Sequence, residues 1–273
     1  MNTGDFQFMR RSTPPATFLL AALLSSGAVF AQGPATPPPA KKGNGVSPKE
    51  AQAINDMLQS QTKSPDEQIA AAEALITKFA DTSYKSFALE LEAEAYQRKQ
   101  DNTKAIVYGE QALAADDKNY DADNLLANVI AATTKDTDLD KEEKLKKAEK
   151  YAHDAMDALE AGKPAIFAKA SDEQWAKTKA GVQTQAWQAL GVVALTRKKN
   201  DEAIADFQKG LDIVPDPLLM IRLGRALYTM KKFDDAIMWD QKVMDSADAP
   251  AQYKSIAQAD RARATMAKQS ASK

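Results

Sequence analysis

From Ser47 to the C-terminus, apolar side chains recur every three or four residues. They never alternate with period two for long enough to make a strand. Ile69, Ala72, Ile76 and Phe79 fall on one face of such a run, the spacing of an amphipathic helix. Ser47-Pro48-Lys49-Glu50, Ser64-Pro65-Asp66-Glu67 and Ser171-Asp172-Glu173-Gln174 each put a capping hydroxyl before a run and an acid or amide three residues later. Gly162-Lys163-Pro164 is a stop. Together these signals predict helices near 48–60, 65–79, 84–99, 102–115, 121–133, 140–160, 171–196, 201–212, 217–230, 234–246 and 251–268. Short connections make consecutive helices antiparallel neighbours. The expected domain is all-α over 47–269, about five stacked hairpins and a capping helix, with 270–273 as a disordered tail.

Within these helices one pattern stands at fixed spacing. Trp187-x-x-Leu190-Gly191-x-x-Ala194 is followed by Ala203-x-x-x-Phe207, then Gly210 and Pro215. Small Gly191 and Ala203 let two helices approach closely, and Trp187, Leu190 and Phe207 fill the space around them. The pattern resembles the tetratricopeptide repeat, departing from it at Ala194, where that repeat carries tyrosine. A second unit aligns Leu223-Gly224, Leu227 and Ala236, with Asp240 where the repeat has phenylalanine. An earlier unit aligns Ala93, Tyr96, Ala105 and Ala112, with Gly109 at that same position. Residues 121–160 keep Leu126-Ala127 and Ala148, Ala152 and Ala155 around an insertion, and 48–79 form a degenerate pair. The resemblance covers about 220 residues and implies a right-handed superhelical solenoid of helical hairpins. Leu75 to Tyr84 also resembles hairpin junctions of repeat proteins in outer-membrane assembly and Tol–Pal coordination. That implies an alternative role, a subunit of an envelope-assembly or cell-division complex.

In this family the first helix of each hairpin lines a concave groove that takes a partner's peptide segment or helix. Carried over unit by unit, the resemblance nominates Phe87, Glu90, Glu94 and Gln97, then Asn124, Asn128 and Ala131. Gln185, Gln188, Val192 and Leu195 follow, and Leu218, Ile221, Arg222, Arg225 and Tyr228 complete the surface. The protein-binding groove is expected at Glu94, Asn124, Asn128, Gln185, Gln188, Val192, Arg222, Arg225 and Tyr228. Amides bond a peptide backbone through donor and acceptor alike, and Arg222 and Arg225 suit a carboxylate. Asn128 and Arg222 resemble parts of the carboxylate clamp of the chaperone-binding subfamily, whose full set is not reproduced.

The N-terminus reads as an address. Arg10 and Arg11 precede an apolar stretch from Ala16 to Phe30, and Val29-Phe30-Ala31 offers a cleavage site, so 1–31 is read as a cleavable signal peptide. Gln32 to Val46, rich in Pro and Gly, is read as a disordered leader. The expected location is periplasmic or secreted, without stable membrane insertion after cleavage. Removing 1–31 takes away Arg10, Arg11 and Asp5 and leaves a charge near −3, too even for a nucleic-acid field.

No Cys and one His exclude disulfides, thiolate sites and multi-histidine metal centres. Asp136-Thr137-Asp138-Leu139-Asp140 opens like a calcium loop, but Lys141 and Lys147 stand where Gly and Glu are needed. His153 reads as surface, and Trp175 as an extension of the core or a contact between protomers. No phosphate loop or nucleophile elbow is found. The reading is a protein-binding scaffold or adaptor without catalysis, cofactor or metal, with self-association open and an enzyme or metal-dependent module as the remote alternative.

The last predicted helix is polar apart from Tyr253, Ile256, Ala257 and small residues, the composition of a terminal cap. Deleting 251–273 is expected to uncover the preceding helices and lower both solubility and melting temperature. A truncated chain as soluble and as stable as the whole one would show that no cap was removed.

Overall fold

The computed structural model describes residues 46–163 and 170–271. The expected signal peptide, the leader apart from Val46, residues 164–169 and residues 272–273 lie outside the described residues. The described residues form eleven α-helices and no strand. They are α1 (Pro48–Ser60), α2 (Pro65–Lys78), α3 (Lys85–Arg98), α4 (Asn102–Ala115), α5 (Tyr120–Thr133) and α6 (Lys141–Glu160). After these come α7 (Asp172–Thr196), α8 (Asn200–Ile213), α9 (Pro217–Thr229), α10 (Phe233–Asp245) and α11 (Ala251–Ala271). The helix ends fall within one residue of the sequence reading except the last, which runs on past residue 268. Its final turn is made of Ala, Lys, Gln and Ser, and the Ser270 hydroxyl bonds the Met266 carbonyl at 3.0 Å, so nothing local stops it.

The caps form as their chemistry requires. The Glu50 amide donates to Ser47 Oγ at 3.2 Å. At Ser64 and Ser171 the reciprocal bonds also form, from the Ser64 amide to Glu67 (3.1 Å) and from the Ser171 amide to Gln174 (2.8 Å). Asp216 caps α9 by accepting from the Leu219 amide at 2.7 Å, and Pro217 takes the first helical position. Three hairpin turns close alike. Gln100, Lys198 and Lys231 adopt left-handed backbone with φ of 64°, 63° and 58°. The amides of Asp101, Lys199 and Lys232 then reach back to the carbonyls of Tyr96, Ala194 and Leu227, each at 2.9 Å.

The described chain divides into two compact units, one ending at Val129 and taking in Asp154–Lys179, the other made of Ile130–His153 and residues from Ala180 on. In the first unit, α1 packs on α2, α2 on α3 and α3 on α4. Its main core joins Ile54, Met57, Ala72, Leu75, Phe87, Ala88 and Leu91. Leu89, Ala112 and Ala122, with Ala93, Leu125 and Val129, bind α3 and α4 to α5. In the second unit, α9 packs on α8, α10 and α11. Its core is Phe207 surrounded by Ala194, Ala203, Leu211, Leu219, Leu223, Ala226, Leu227 and Ala236, with Ala264 of α11 completing it. Arg197 ties the start of α6 to the end of α7 through Glu142 (2.8 Å) and Glu149 (2.9 Å).

Helix spacing is set by glycine at defined crossings. A Cβ at Gly191 would lie 2.3 Å from the Phe207 ring, and one at Gly210 would lie 2.7 Å from Leu219. At the corresponding crossing in the next hairpin, a Cβ at Gly224 would press only on Asp240 Oδ1, at 3.2 Å. Gly191→Ala is therefore expected to cost about 1–3 kcal/mol by overpacking. Gly224→Ala is expected to be near neutral, because a gain of about 1 kcal/mol in helix propensity offsets a small shift of Asp240. Urea melts of the two variants check this, and equal losses would show that the slot is not what separates them.

Candidate functional site

In the first unit, the first helices of two consecutive hairpins, α3 and α5, carry a polar stripe into their contact. Ser86 Oγ donates to the Ala112 carbonyl at 2.9 Å and accepts from Asn119 Nδ2 at 2.9 Å, which fixes the start of α5 against α3. One turn on from Ser86 comes Glu90, then Glu94, and Glu90 lies near Asn119 and Asp121 at the start of α5. Glu94 and Asn124, expected on an open groove, are only 7% and 2% exposed, and Glu90 only 1%. Asn128 is half-buried and donates to the Asn124 carbonyl at 2.9 Å. Burial drives Glu90 well above the carboxylate range, reinforced by Asp121 and Glu94 and opposed by the Asn119 amide. Burial likewise pushes Asp121 to about 7. On the same helix as Glu90, Glu92 is pushed to about 7 by burial and then by Glu73, against a hydrogen bond from Tyr108.

In the second unit, Gln185 and Val192 of α7 are half-buried, while Gln188 is 8% exposed. Val192 and Tyr228 pack their apolar surfaces against the Phe207 core, and Tyr228 meets Phe233 with centroids 5.6 Å apart. They serve packing as well as the face on which they lie. The sequence assigns Arg225 to a partner's carboxylate, but its Nε donates to Asp260 Oδ2 of α11 at 2.5 Å. Arg263 approaches the other oxygen of Asp260 at 3.4 Å. Arg222 is half-buried beside Asp216 and Tyr253, with Nε lacking a hydrogen-bond partner among the described residues.

Asp240, one of the two departures from the phenylalanine position, is 1% exposed. It leaves a cavity of about 20 Å³ beside Gly224, Tyr228, Asp260 and Ala264, large enough for one water. Burial raises Asp240 to about 7, Asp260 adds to this, and Arg225 and Arg261 counter it. Sequence reasoning places Asp240 at an altered crossing and Glu90 on the inner face. It does not find that both are buried carboxylates, nor that buried Glu92 and half-buried Asp121 join them. The available signal is an acid at the register position of an apolar residue: Glu92 aligns with Leu190, as Asp240 aligns with Phe207.

The calcium-like loop is occupied by lysines. Asp136 bonds Lys141 at 2.6 Å, Asp138 bonds Lys144 at 3.1 Å and Asp140 bonds Lys144 at 2.9 Å. Among the described residues no three acidic or histidine side chains are grouped to hold a metal ion. His153 is exposed, and Trp175 is buried against Tyr120. No described helix is long and apolar enough to cross a membrane.

The buried carboxylates set the pH dependence of stability. Their folded values near 7 lie above ordinary carboxylate values, so between about pH 4.5 and 7 the folded chain binds more protons than the unfolded one. Stability therefore falls as pH rises through 7. Exposed carboxylates such as Asp136 and Glu142 are held low by Lys or Arg partners and act oppositely, losing their contribution as pH falls below about 4. The melting temperature is expected to peak near pH 4–5 and to decline from there to about pH 7. Asp240→Asn should raise it at pH 8 and flatten the decline, and an unchanged profile would place Asp240 in water.

No family model and no curated protein matches the chain. Among solved structures it resembles a thermophilic TPR protein of Thermus thermophilus. The identity is 15%, the TM-score 0.57, and the match covers 77% of this chain and 98% of that one. At that identity the likeness is one of fold, and it agrees with sequentially packed helical pairs and with the small-residue crossings at Gly191 and Gly224. The chain has the tetratricopeptide-repeat fold, an all-α solenoid of helical hairpins.

Proposed function

We propose that the chain is an exported protein-binding scaffold that recognises a partner segment on the face formed by the first helices of its hairpins, without covalent chemistry. One observation carries the reading. In α3 and α5, polar side chains keep positions that packing would fill with apolar groups, at the cost of desolvated carboxylates. Groups retained against stability in this way are characteristic of function rather than of folding. The fold supports it, since stacked hairpins offer an extended surface that recognises segments. Export rests on Arg10-Arg11, the apolar run to Phe30 and the site at Val29-Phe30-Ala31.

The test uses protein isolated from an exporting host, with intact mass expected to begin at Gln32. This mature chain is cross-linked in envelope extract beside a variant carrying Asn128→Ala and Gln185→Ala, both half-buried positions. A partner recovered with the wild type and lost with a variant of unchanged circular dichroism is the expected outcome. A partner kept by both would move the interface off this face.

A further inference from the structure

The carboxylate of Asp240 lies where α9, α10 and α11 meet. It belongs to α10, is 1% exposed, and its Oδ1 has no hydrogen-bond partner among the described residues. On one side is the bare backbone of Gly224 of α9, where a Cβ would come within 3.2 Å of Oδ1. On the other is the cavity of about 20 Å³, one wall of which is Asp260, Arg263 and Ala264 of α11. Arg225 and Tyr228 of α9 complete the lining. The side chains of Arg225 and Arg263 are 37% and 57% exposed, so the lining runs out to the protein surface.

The wall that can move is α11. Among its 21 residues the buried ones are Tyr253, Ala257, Asp260 and Ala264, a small apolar anchor for a helix of that length. Its polar ties are the 2.5 Å bond from Arg225 Nε to Asp260 Oδ2 and an exposed ion pair between Lys268 and Asp234 of α10. A helix held by so few buried contacts opens before the hairpins beneath it. The charged and titratable groups that face Asp240 are Arg225 and Tyr228 from α9, and Asp260, Arg261 and Arg263 from α11. An ionised Asp240 in this seat is dry and shares its cavity with a second carboxylate. Burial and then Asp260 raise it to about 7, against Arg225 and Arg261. Lifting α11 removes one wall of the cavity, lets water in and carries Asp260 away, which relieves both causes. The ionised carboxylate therefore favours the open state and the neutral one the closed state. We propose that α11 is a pH-operated latch, seated on α9 and α10 while Asp240 is protonated and released when Asp240 gives its proton to solvent through the cavity. Release parts Arg225 from Asp260 and uncovers Gly224 and Tyr228, so the last hairpin presents a different surface above neutral pH than below it. No partner takes part, so the latch does not rest on the scaffold reading.

Seating α11 holds a proton on Asp240. The seating constant is therefore greatest near the ordinary aspartate value of about 4 and falls as pH rises through 7. Between pH 6 and 8 the fall is about tenfold, and above 8 it levels off. Hydrogen exchange of the protein isolated from the exporting host, corrected for intrinsic rates, measures it at fixed ionic strength. Amides over Ala257–Ala264 are expected to be less protected than those over Ala203–Leu211 of α8 at both pH values, and to lose about tenfold in protection from pH 6 to 8. Asp240→Asn should abolish that loss, while Lys268→Gln should keep it. Protection in α11 equal to that in α8 at pH 8 would show that the helix leaves only when the whole unit unfolds, and would overturn the latch. So would a loss that persists in Asp240→Asn, which would assign it to another group such as Asp216, whose charge acts on Tyr253 of the same helix. A loss abolished by Lys268→Gln would assign it to the pair with Asp234 and overturn the role of Asp240.

Discussion

Two helices can pack only as closely as their smallest facing residues allow, and in this chain that distance organises everything else. At the Gly191 crossing the ring of Phe207 occupies the space that a Cβ would take. Ala194, Ala203 and Ala236 extend the same small-residue surface, so that Leu211, Leu219, Leu223 and Leu227 can close around one ring. The first unit has the complementary arrangement. Gly109 stands where the ring would be, and Leu126 of α5 moves in to within 2.9 Å of its missing Cβ. A glycine on either side of the crossing thus gives a close pair, but the filling comes from a different helix.

Where neither large side chain is present, the crossing becomes polar. Asp240 leaves a small void over Gly224, and α11 brings Asp260 to its rim, held there by Arg225. This gives the last helix a specific seat despite its polar composition. Tyr253, Ala257 and Ala264 supply its apolar contact, and Asp260 fixes its register through a partly buried ion pair. Such a pair contributes less to net stability than to the choice of one docking geometry, because desolvation offsets much of its attraction.

The same exchange of apolar for acidic groups recurs at Glu90, Glu92 and Asp121. These positions destabilise the neutral-pH fold, and neighbouring caps and cores must outweigh them. Ser86 and Asn119 lock the start of α5 to α3, and the apolar contacts of Leu89 and Ala93 flank Glu90 on either side. These contacts hold the buried polar groups in fixed positions against the cost of their desolvation.

Local information carried most of the architecture. Helix ends followed from Ser, Asp and Pro at the starts and from polar turns at the ends, because capping depends on residues only three or four apart. The hairpin pairing followed from short connections, and the crossings at Gly191 and Gly224 from residue size at repeat spacing. The tertiary structure alone decided what each polar side chain meets. Arg225 reads in sequence as an inner-face cation for a partner, and only the return of α11, 35 residues later, brings it Asp260. Glu90, Glu94 and Asn124 read as groove surface, and only the packing of α3 against α5 takes them from water. Periodicity reports which face of a helix a residue occupies. Charge state and partner depend on the dielectric and the neighbours that distant segments supply.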